Sequence, residues 1–151
     1  MIRVYTKDRH IEKINKFLTS LNLEYEIFTS KDSPKLCLFE LGISYCFPKK
    51  IIEPTLSQPK CGFINFHPGP LPKYKGPNEY GDAIKNKEIN WGVTAHYMTD
   101  KFDEGRIIEI QSISLNEPPT SIDELGAISH YFLFILFKKI ISDMVKTKKI
   151  Y

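Results

Sequence analysis

Strand-like and helix-like segments alternate along this chain, and that alternation restricts the fold more than any other feature of the sequence. Short apolar segments at Ile2–Thr6 and 25–29 flank about residues 9–21, where apolar side chains recur at helical spacing. Alternating strands and helices are typical of an α/β layered fold with a mainly parallel sheet. Because the chain has 151 residues, we expect a single domain that spans residues 1–151.

The rest of the chain predicts further strands and helices. Strands are predicted at 36–39, 41–47, 62–66, 91–98 and 106–115, a short helical turn at 49–54, and helices at about 79–87 and 122–147. The apolar phase shifts within the last strand, which predicts a bulge near Gln111. Ser121 and Glu124 have the spacing of a capping box at the start of the last helix. The apolar middle of that helix, residues 131–137, indicates burial on more than one side, by core packing or at a subunit interface.

Composition and charge disfavour several classes of protein. The formal net charge is only +3, and no concentrated basic stripe precedes the C-terminal residues, so a nucleic-acid-binding protein is not expected. The three cysteines, Cys37, Cys46 and Cys61, form neither an even set nor a CxxC pair, so neither a disulfide framework nor a metal site is predicted. No signal-peptide pattern follows Met1 and no apolar run reaches about 18 residues, so we expect a cytoplasmic location without a membrane span.

Three polar side chains in turn-rich surroundings carry groups suited to acyl chemistry. Asn65 and His67 precede a loop, residues 68–77, that holds four prolines and two glycines, and Asp103 follows 36 positions after His67. Loops of this length are usually functional or disordered. An amide can donate to a developing oxyanion, a histidine can move protons near neutral pH, and a carboxylate can orient that histidine or collect the proton. The combination indicates an enzyme.

Four sequence motifs in order resemble a known enzyme family. Residues 62–76 read GFINFHPGPLPKYKG, residues 91–98 read WGVTAHYM, and residues 102–108 read FDEGRII. Together they resemble the N10-formyltetrahydrofolate-dependent formyltransferase family, whose hallmarks are N-x-H-P, L-P-x-Y-x-G, G-V-T-x-H and D-x-G-x-I-I. The resemblance covers about residues 41–126 and implies a three-layer Rossmann-like formyltransferase domain with a long C-terminal helix. Because only 64 residues precede Asn65, we expect an abbreviated, mainly parallel sheet.

The resemblance also implies roles for individual residues. Asn65 would hold the formyl oxygen as it becomes an oxyanion, and His67 would lie beside the tetrahedral carbon. Asp103 would pair with His67 and help move a proton from the attacking amine to N10. N10-formyltetrahydrofolate would be the formyl donor, and its pterin would contact a strand end and a loop that contain Tyr45, Cys46, Phe47 and Thr99. His96 is expected to be structural rather than catalytic.

The acceptor is expected, by family analogy, to be the primary amine of a nucleotide-linked amino sugar. The residues expected to face its pyrophosphate or base are Lys73, Tyr74, Lys75 and Asn78. Glycinamide ribotide is disfavoured because the turn at residues 7–10 has no glycine, and methionyl-tRNA because we expect no C-terminal RNA-binding domain. A formyltetrahydrofolate hydrolase, a binding module that has lost folate affinity and a nucleic-acid module stay as alternatives. Monomer and homodimer are both left open.

Overall fold

The chain forms a six-stranded sheet with three helices in the computed structural model, which describes residues 1–150. The strands are β1 (Ile2–Thr6), β2 (Tyr25–Phe28), β3 (Leu41–Tyr45), β4 (Phe63–His67), β5 (Asn90–Tyr97) and β6 (Ile107–Ser114). The helices are α1 (Ile11–Ser20), α2 (Glu79–Lys85) and α3 (Ile122–Lys146). The strand order is β2-β1-β3-β4-β5-β6; β1 is parallel to both β2 and β3, and β5 is antiparallel to β6. The predicted α/β fold class and the long C-terminal helix are confirmed.

The chain divides into two compact units, of which the first contains Met1–Asn65 and the segment from Lys138 onward. In this unit β1 and β3 are buried along their whole length, as expected for neighbouring parallel strands. Helix α1 connects β1 to β2 and buries Ile14 and Leu18, which lie on one face of the helix because they are four residues apart.

The second unit contains Phe66–Phe137 and is organised around the antiparallel pair β5–β6. Its core contains Val93 and Ala95 from β5 and the rings of Phe66 and Phe137, whose centroids are 5.1 Å apart. Trp91 at the start of β5 donates its indole N–H to the hydroxyl of Ser129 in α3 at 2.8 Å, which satisfies two buried polar groups.

Three local predictions differ from the structure. Residues 36–39 do not form a strand: Leu36 and Leu38 are 60% and 76% exposed, the amide of Cys37 donates to the side chain of Gln58, and Phe39 forms an isolated bridge with Pro59. The short helix after β3 lies at Thr55–Ser57 rather than at 49–54. The bulge lies in β6 at Ile108, three residues before Gln111, because the register shifts between the pairs Ala95–Glu109 and His96–Ile107.

Helix α3 begins with the predicted capping interactions. The hydroxyl of Ser121 accepts from the amide of Glu124 at 3.1 Å, and the Glu124 carboxylate accepts from the amide of Thr120 at 2.9 Å. In the apolar middle of α3, residues 132–137 are buried or half-buried, whereas Tyr131 is 67% exposed. The helix is long and apolar enough to cross a membrane by length and composition, a weak indication because core helices of soluble proteins pass the same test.

Candidate active site

The C-terminal end of β4 presents the first two predicted catalytic residues. Asn65 and His67 are two positions apart in an extended strand, so their side chains leave β4 on the same face. Asn65 is half-buried and His67 is 6% exposed. The strand ends at His67, and the proline-rich loop predicted at 68–77 follows it.

The hydrogen bond made by His67 defines which ring nitrogen carries its proton. Nε2 of His67 lies 2.7 Å from the carbonyl oxygen of Tyr74, which can only accept, so Nε2–H is the donor. In the neutral ring Nδ1 is then an acceptor. Nδ1 faces Oδ2 of Asp103 at 3.7 Å, a separation longer than a hydrogen bond.

Asp103 is a largely buried carboxylate with three polar neighbours. Its side chain is 9% exposed, and Oδ2 accepts from the amide of Gly76 at 2.9 Å in addition to facing His67. Oδ1 lies 3.6 Å from Nε2 of His96. Burial raises the pKa of Asp103, but His96, His67 and the Gly76 amide outweigh it and lower that pKa to about 2. The group is therefore ionised at neutral pH.

The backbone of Asp103 is in the left-handed region, with φ of +52°. Aspartate tolerates this conformation better than most side chains, and residues held there cluster at functional sites. Two residues later, Gly105 lies so close to β5 that a Cβ at this position would be 1.5 Å from the carbonyl oxygen of Tyr97. The close approach of the loop to β5 therefore requires glycine at position 105 and sets the position of Asp103.

His96 lies next to the candidate catalytic carboxylate of Asp103, although only a structural role was expected for it. Its Nδ1 donates to the carbonyl of Tyr97 at 2.8 Å, which leaves Nε2 facing Asp103. The bulge at Ile108 of β6 lies opposite Ala95 and His96, and bulges commonly redirect side chains next to active sites. The sequence signal was present, because His96 is the histidine of the G-V-T-x-H motif.

Of the four residues predicted to contact the donor, Tyr45, Cys46 and Phe47 lie in the first unit and Thr99 lies in the second. Tyr45 is fully buried and packs against His10, so its ring is part of the core and only its backbone marks the end of β3. Cys46 and Phe47 follow β3 and are half-buried. Thr99 is exposed in the loop before Asp103, where its hydroxyl caps the amide of Lys101.

The four residues predicted to contact the acceptor have different surroundings. The ammonium group of Lys73 pairs with Glu88, and Tyr74 is 3% exposed with its hydroxyl donating to the same carboxylate. Tyr74 is thus engaged inside the protein, whereas the side chain of Lys73 is 64% exposed. Lys75 is 43% exposed and lies 3.4 Å from Glu104, and Asn78 is exposed and donates to Asp82.

A cavity of about 390 Å³ lies beside Asp103 in the second unit. It is lined by Leu71, Pro72, Lys75, Asp103, Glu104, Gly105 and Ile107. Apolar side chains form one part of the lining, and one cation and two carboxylates form the other. Such a mixture of apolar walls with a few convergent polar groups is typical of a small-molecule site.

We predict that Glu88 makes the free energy of unfolding depend on pH in the acidic range. The hydrogen bond from Lys73 lowers the pKa of Glu88 from 4.5 to about 2; burial opposes the shift, and the Asn90 amide and the Tyr74 hydroxyl assist it. A group with a lowered folded-state pKa stabilises above its unfolded value and loses that contribution as the pH falls through the folded one. The free energy of unfolding should therefore fall between about pH 5 and pH 2, and less steeply in Glu88→Gln. Urea unfolding followed by circular dichroism measures this, and equal slopes in the two proteins would contradict it.

The fold and this site define an α/β protein with a strand-end histidine paired to a loop carboxylate. Residues 40–127 match the formyl transferase family, and the chain belongs to that family. The family resemblance of the sequence motifs is thereby confirmed.

Curated relatives include two longer proteins. The chain is 33% identical over 117 residues to the bifunctional polymyxin resistance protein ArnA of Wigglesworthia glossinidia brevipalpis, covering 78% of this chain and 17% of the relative. It is 33% identical over 123 residues to a methionyl-tRNA formyltransferase of Staphylococcus epidermidis, covering 76% of this chain and 38% of the relative. The chain thus spans well under half the length of these two relatives.

Solved structures share the fold at lower identity. The formyltransferase PseJ from Anoxybacillus kamchatkensis, in complex with UDP-4,6-dideoxy-4-formamido-L-AltNAc and tetrahydrofolate, has a TM-score of 0.78 at 24% identity, over 99% of this chain and 78% of that one. The phosphoribosylglycinamide formyltransferase of Streptococcus pneumoniae has a TM-score of 0.70 at 17% identity, over 95% and 98% of the two chains. A 4-N formyltransferase from Francisella tularensis has a TM-score of 0.77 at 21% identity, over 97% and 69%.

Proposed function

We propose that this chain transfers a formyl group from N10-formyltetrahydrofolate to a primary amine. The observation that carries the proposal is the pairing of His67 with Asp103. Nε2–H of His67 donates to the Tyr74 carbonyl and Asp103 is ionised, so in the neutral form of His67 the acceptor Nδ1 faces the acceptor Oδ2 of Asp103 across 3.7 Å. The pair is therefore arranged to receive a proton, which is what acyl transfer from an amine requires.

The reaction assigns one task to each residue. The amine nitrogen attacks the formyl carbon, the carbonyl oxygen becomes an oxyanion, and the amide N–H of Asn65 donates to that oxygen. His67 and Asp103 receive the proton that the amine nitrogen loses as the new C–N bond forms. The proton passes to N10 as the bond from N10 to the formyl carbon breaks. The oxyanion then returns to a carbonyl, which yields a formamide and tetrahydrofolate.

The donor is supported by the family and by the solved relatives. PseJ is described in complex with tetrahydrofolate, and an N-formyltransferase from Helicobacter canadensis is described with folinic acid. By analogy, the pterin of this chain's donor would contact the segment of Tyr45, Cys46 and Phe47 and the loop of Thr99. The half-buried ring of Phe47 provides apolar surface for such a contact.

The thiol of Cys46 has no chemical role in this proposal. We therefore expect Cys46→Ser to keep the formyl-transfer rate within about twofold of the wild type, because the two side chains have the same shape and the folate contact is apolar or through the backbone. Steady-state assays of tetrahydrofolate release measure the effect. A large loss of turnover in a Cys46→Ser protein with normal circular dichroism would contradict the assignment.

We infer that the acceptor is a nucleotide-linked amino sugar. PseJ is described with a UDP-linked formamido sugar and the Helicobacter canadensis enzyme with dTDP-3-aminofucose. In this chain, Lys75 places a half-exposed ammonium group at the cavity beside Asp103, where it would attract a pyrophosphate. Asn78 adds an exposed amide in the same loop region. Lys73 pairs with Glu88 but is 64% exposed, so it stays a predicted acceptor contact, whereas the buried Tyr74 hydroxyl is engaged with Glu88.

The test mixes the protein with N10-formyltetrahydrofolate and a panel of dTDP-, UDP- and GDP-linked amino sugars. Tetrahydrofolate release is followed by absorbance and the sugar by mass spectrometry, with a control that lacks acceptor. Release with a formyl mass gain on one sugar supports the proposal and identifies the acceptor. Release without acceptor indicates a hydrolase, and the absence of both release and folate binding indicates a non-catalytic binding module. The cytoplasmic location stays a prediction, and monomer and homodimer both stay open.

A further inference from the structure

One short backbone segment, residues 74–76, contacts both members of the candidate catalytic pair. The carbonyl of Tyr74 accepts from Nε2 of His67 at 2.7 Å, and the amide of Gly76 donates to Oδ2 of Asp103 at 2.9 Å. The first contact sets the tautomer of His67, and the second lowers the pKa of Asp103. A shift of this segment would therefore change both groups together.

The side chain of Tyr74 holds this segment from outside the catalytic pair. Its ring packs on Trp91, with centroids 5.0 Å apart, and its hydroxyl donates to Oε2 of Glu88 at 3.0 Å and accepts from Asn86 at 3.3 Å. Tyrosine at this position is buried, so its hydroxyl requires a partner.

Glu88 is anchored independently of Tyr74. Its Oε1 accepts from the amides of Ile89 and Asn90 at 3.2 and 3.0 Å, at the start of β5, and its Oε2 also pairs with Lys73. The carboxylate is 10% exposed. It therefore connects a rigid strand end to the Tyr74 hydroxyl. The bond from the Tyr74 hydroxyl to Glu88 links this carboxylate to His67 and Asp103 through residues 74–76.

We propose that Glu88 is a positioning residue for His67 and Asp103, and that it acts through the hydroxyl of Tyr74. The bond from Tyr74 to Glu88 fixes the position of residues 74–76. The Tyr74 carbonyl then accepts from Nε2 of His67, and the Gly76 amide donates to the carboxylate of Asp103. The expected effect of Glu88 on kcat rests on the proposed function. The expected effect of Glu88 on the His67 ring rests on geometry alone.

The kinetic test is a double-mutant cycle. Tyr74→Phe removes the hydroxyl but keeps the ring against Trp91, and Glu88→Ala removes the carboxylate. Each single variant is expected to lower kcat by about tenfold, the equivalent of one buried hydrogen bond, while KM for the folate donor changes by less than about twofold. In the Tyr74→Phe background, Glu88→Ala should lower kcat no further, because Tyr74→Phe has already removed the hydrogen bond through which Glu88 acts. Independent losses that multiply in the double variant, or unchanged kcat in both singles, would overturn the proposal.

The second readout does not depend on turnover. The four histidines are labelled with ¹⁵N, and His67 is assigned with His67→Asn. Long-range ¹H–¹⁵N spectra report which ring nitrogen carries the proton: the wild type should show the Nε2–H form of His67, and Tyr74→Phe and Glu88→Ala should both shift its ring nitrogens. Unchanged His67 signals in both variants would overturn the proposal. If the wild type transfers no formyl group, the proposed function fails, and these spectra still decide the role of Glu88.

Glu40→Ala is the matched control. It removes a carboxylate paired with Lys60 at 3.4 Å in the first unit, to which the Tyr74 segment does not belong. Both kcat and the His67 spectrum should equal those of the wild type in this variant. Melting temperatures of all variants separate a loss of folded protein from a change in kcat.

Discussion

Replacing Asp103 with asparagine is expected to lower the rate of formyl transfer by about 10²- to 10⁴-fold, the range that a positioned acid–base group contributes. The substitution keeps the shape of the side chain, and asparagine tolerates the positive φ of position 103, so the fold should stay intact. It removes the charge and replaces one acceptor oxygen by an amide donor. The proton lost by the amine then has no carboxylate beside His67 to stabilise it.

Single-turnover assays with a saturating amine acceptor measure this loss. Asp100→Asn is the matched control, because Asp100 is an exposed aspartate three positions earlier in the same loop and should keep the wild-type rate. His67→Asn is expected to reduce the rate to a similar degree, since both residues hold the same proton. Wild-type turnover by a folded Asp103→Asn or His67→Asn protein would show that the pair does not carry the chemistry.

Gly105→Ala is expected to lower both stability and activity. The new Cβ would lie 1.5 Å from the carbonyl oxygen of Tyr97, a backbone atom that cannot rotate away, so the loop must separate from β5. The backbone bond from the Tyr97 amide to the Arg106 carbonyl, 2.9 Å long, would be lost or strained as it does. We expect the free energy of unfolding to fall by about 2–4 kcal/mol, in the upper range for single substitutions.

Activity should fall with Gly105→Ala even where the protein stays folded, because Asp103 lies two residues from the displaced backbone. Urea unfolding and the formyl-transfer assay measure the two effects. Gly126→Ala provides the comparison: this glycine lies inside α3, and a Cβ there would be 3.5 Å from the ring of Tyr80, an ordinary contact. Alanine should therefore stabilise the helix by up to about 1 kcal/mol. An unfolding free energy of Gly105→Ala equal to that of the wild type would contradict the steric argument.

Local sequence patterns were sufficient to predict the bounds of those elements whose burial and hydrogen bonds depend on nearby residues. Strand β1 has its predicted bounds, and α3 ends within one residue of the prediction, because a capping box and a long apolar stripe define that helix from within its own sequence. The segment 36–39 failed for the opposite reason. Its apolar residues look like a strand, but a strand requires a hydrogen-bonded neighbouring strand. The sequence does not show that this segment instead meets the side chain of Gln58 and forms an isolated bridge with Pro59.

For the site, the sequence by itself determined the chemical groups. These are the amide of Asn65 and the imidazole of His67 at the end of one strand, and the carboxylate of Asp103 in a separate motif later in the chain. Only the tertiary structure decided how they are used. It places His67 with Nε2 on the Tyr74 carbonyl and Nδ1 toward Asp103, and it brings His96, opposite the bulge in β6, to the same carboxylate. It also turns Tyr74 inward to Glu88. The physical reason is that residue types and spacings are properties of the chain, whereas proton positions and charge depend on which groups from distant segments meet within a few ångströms.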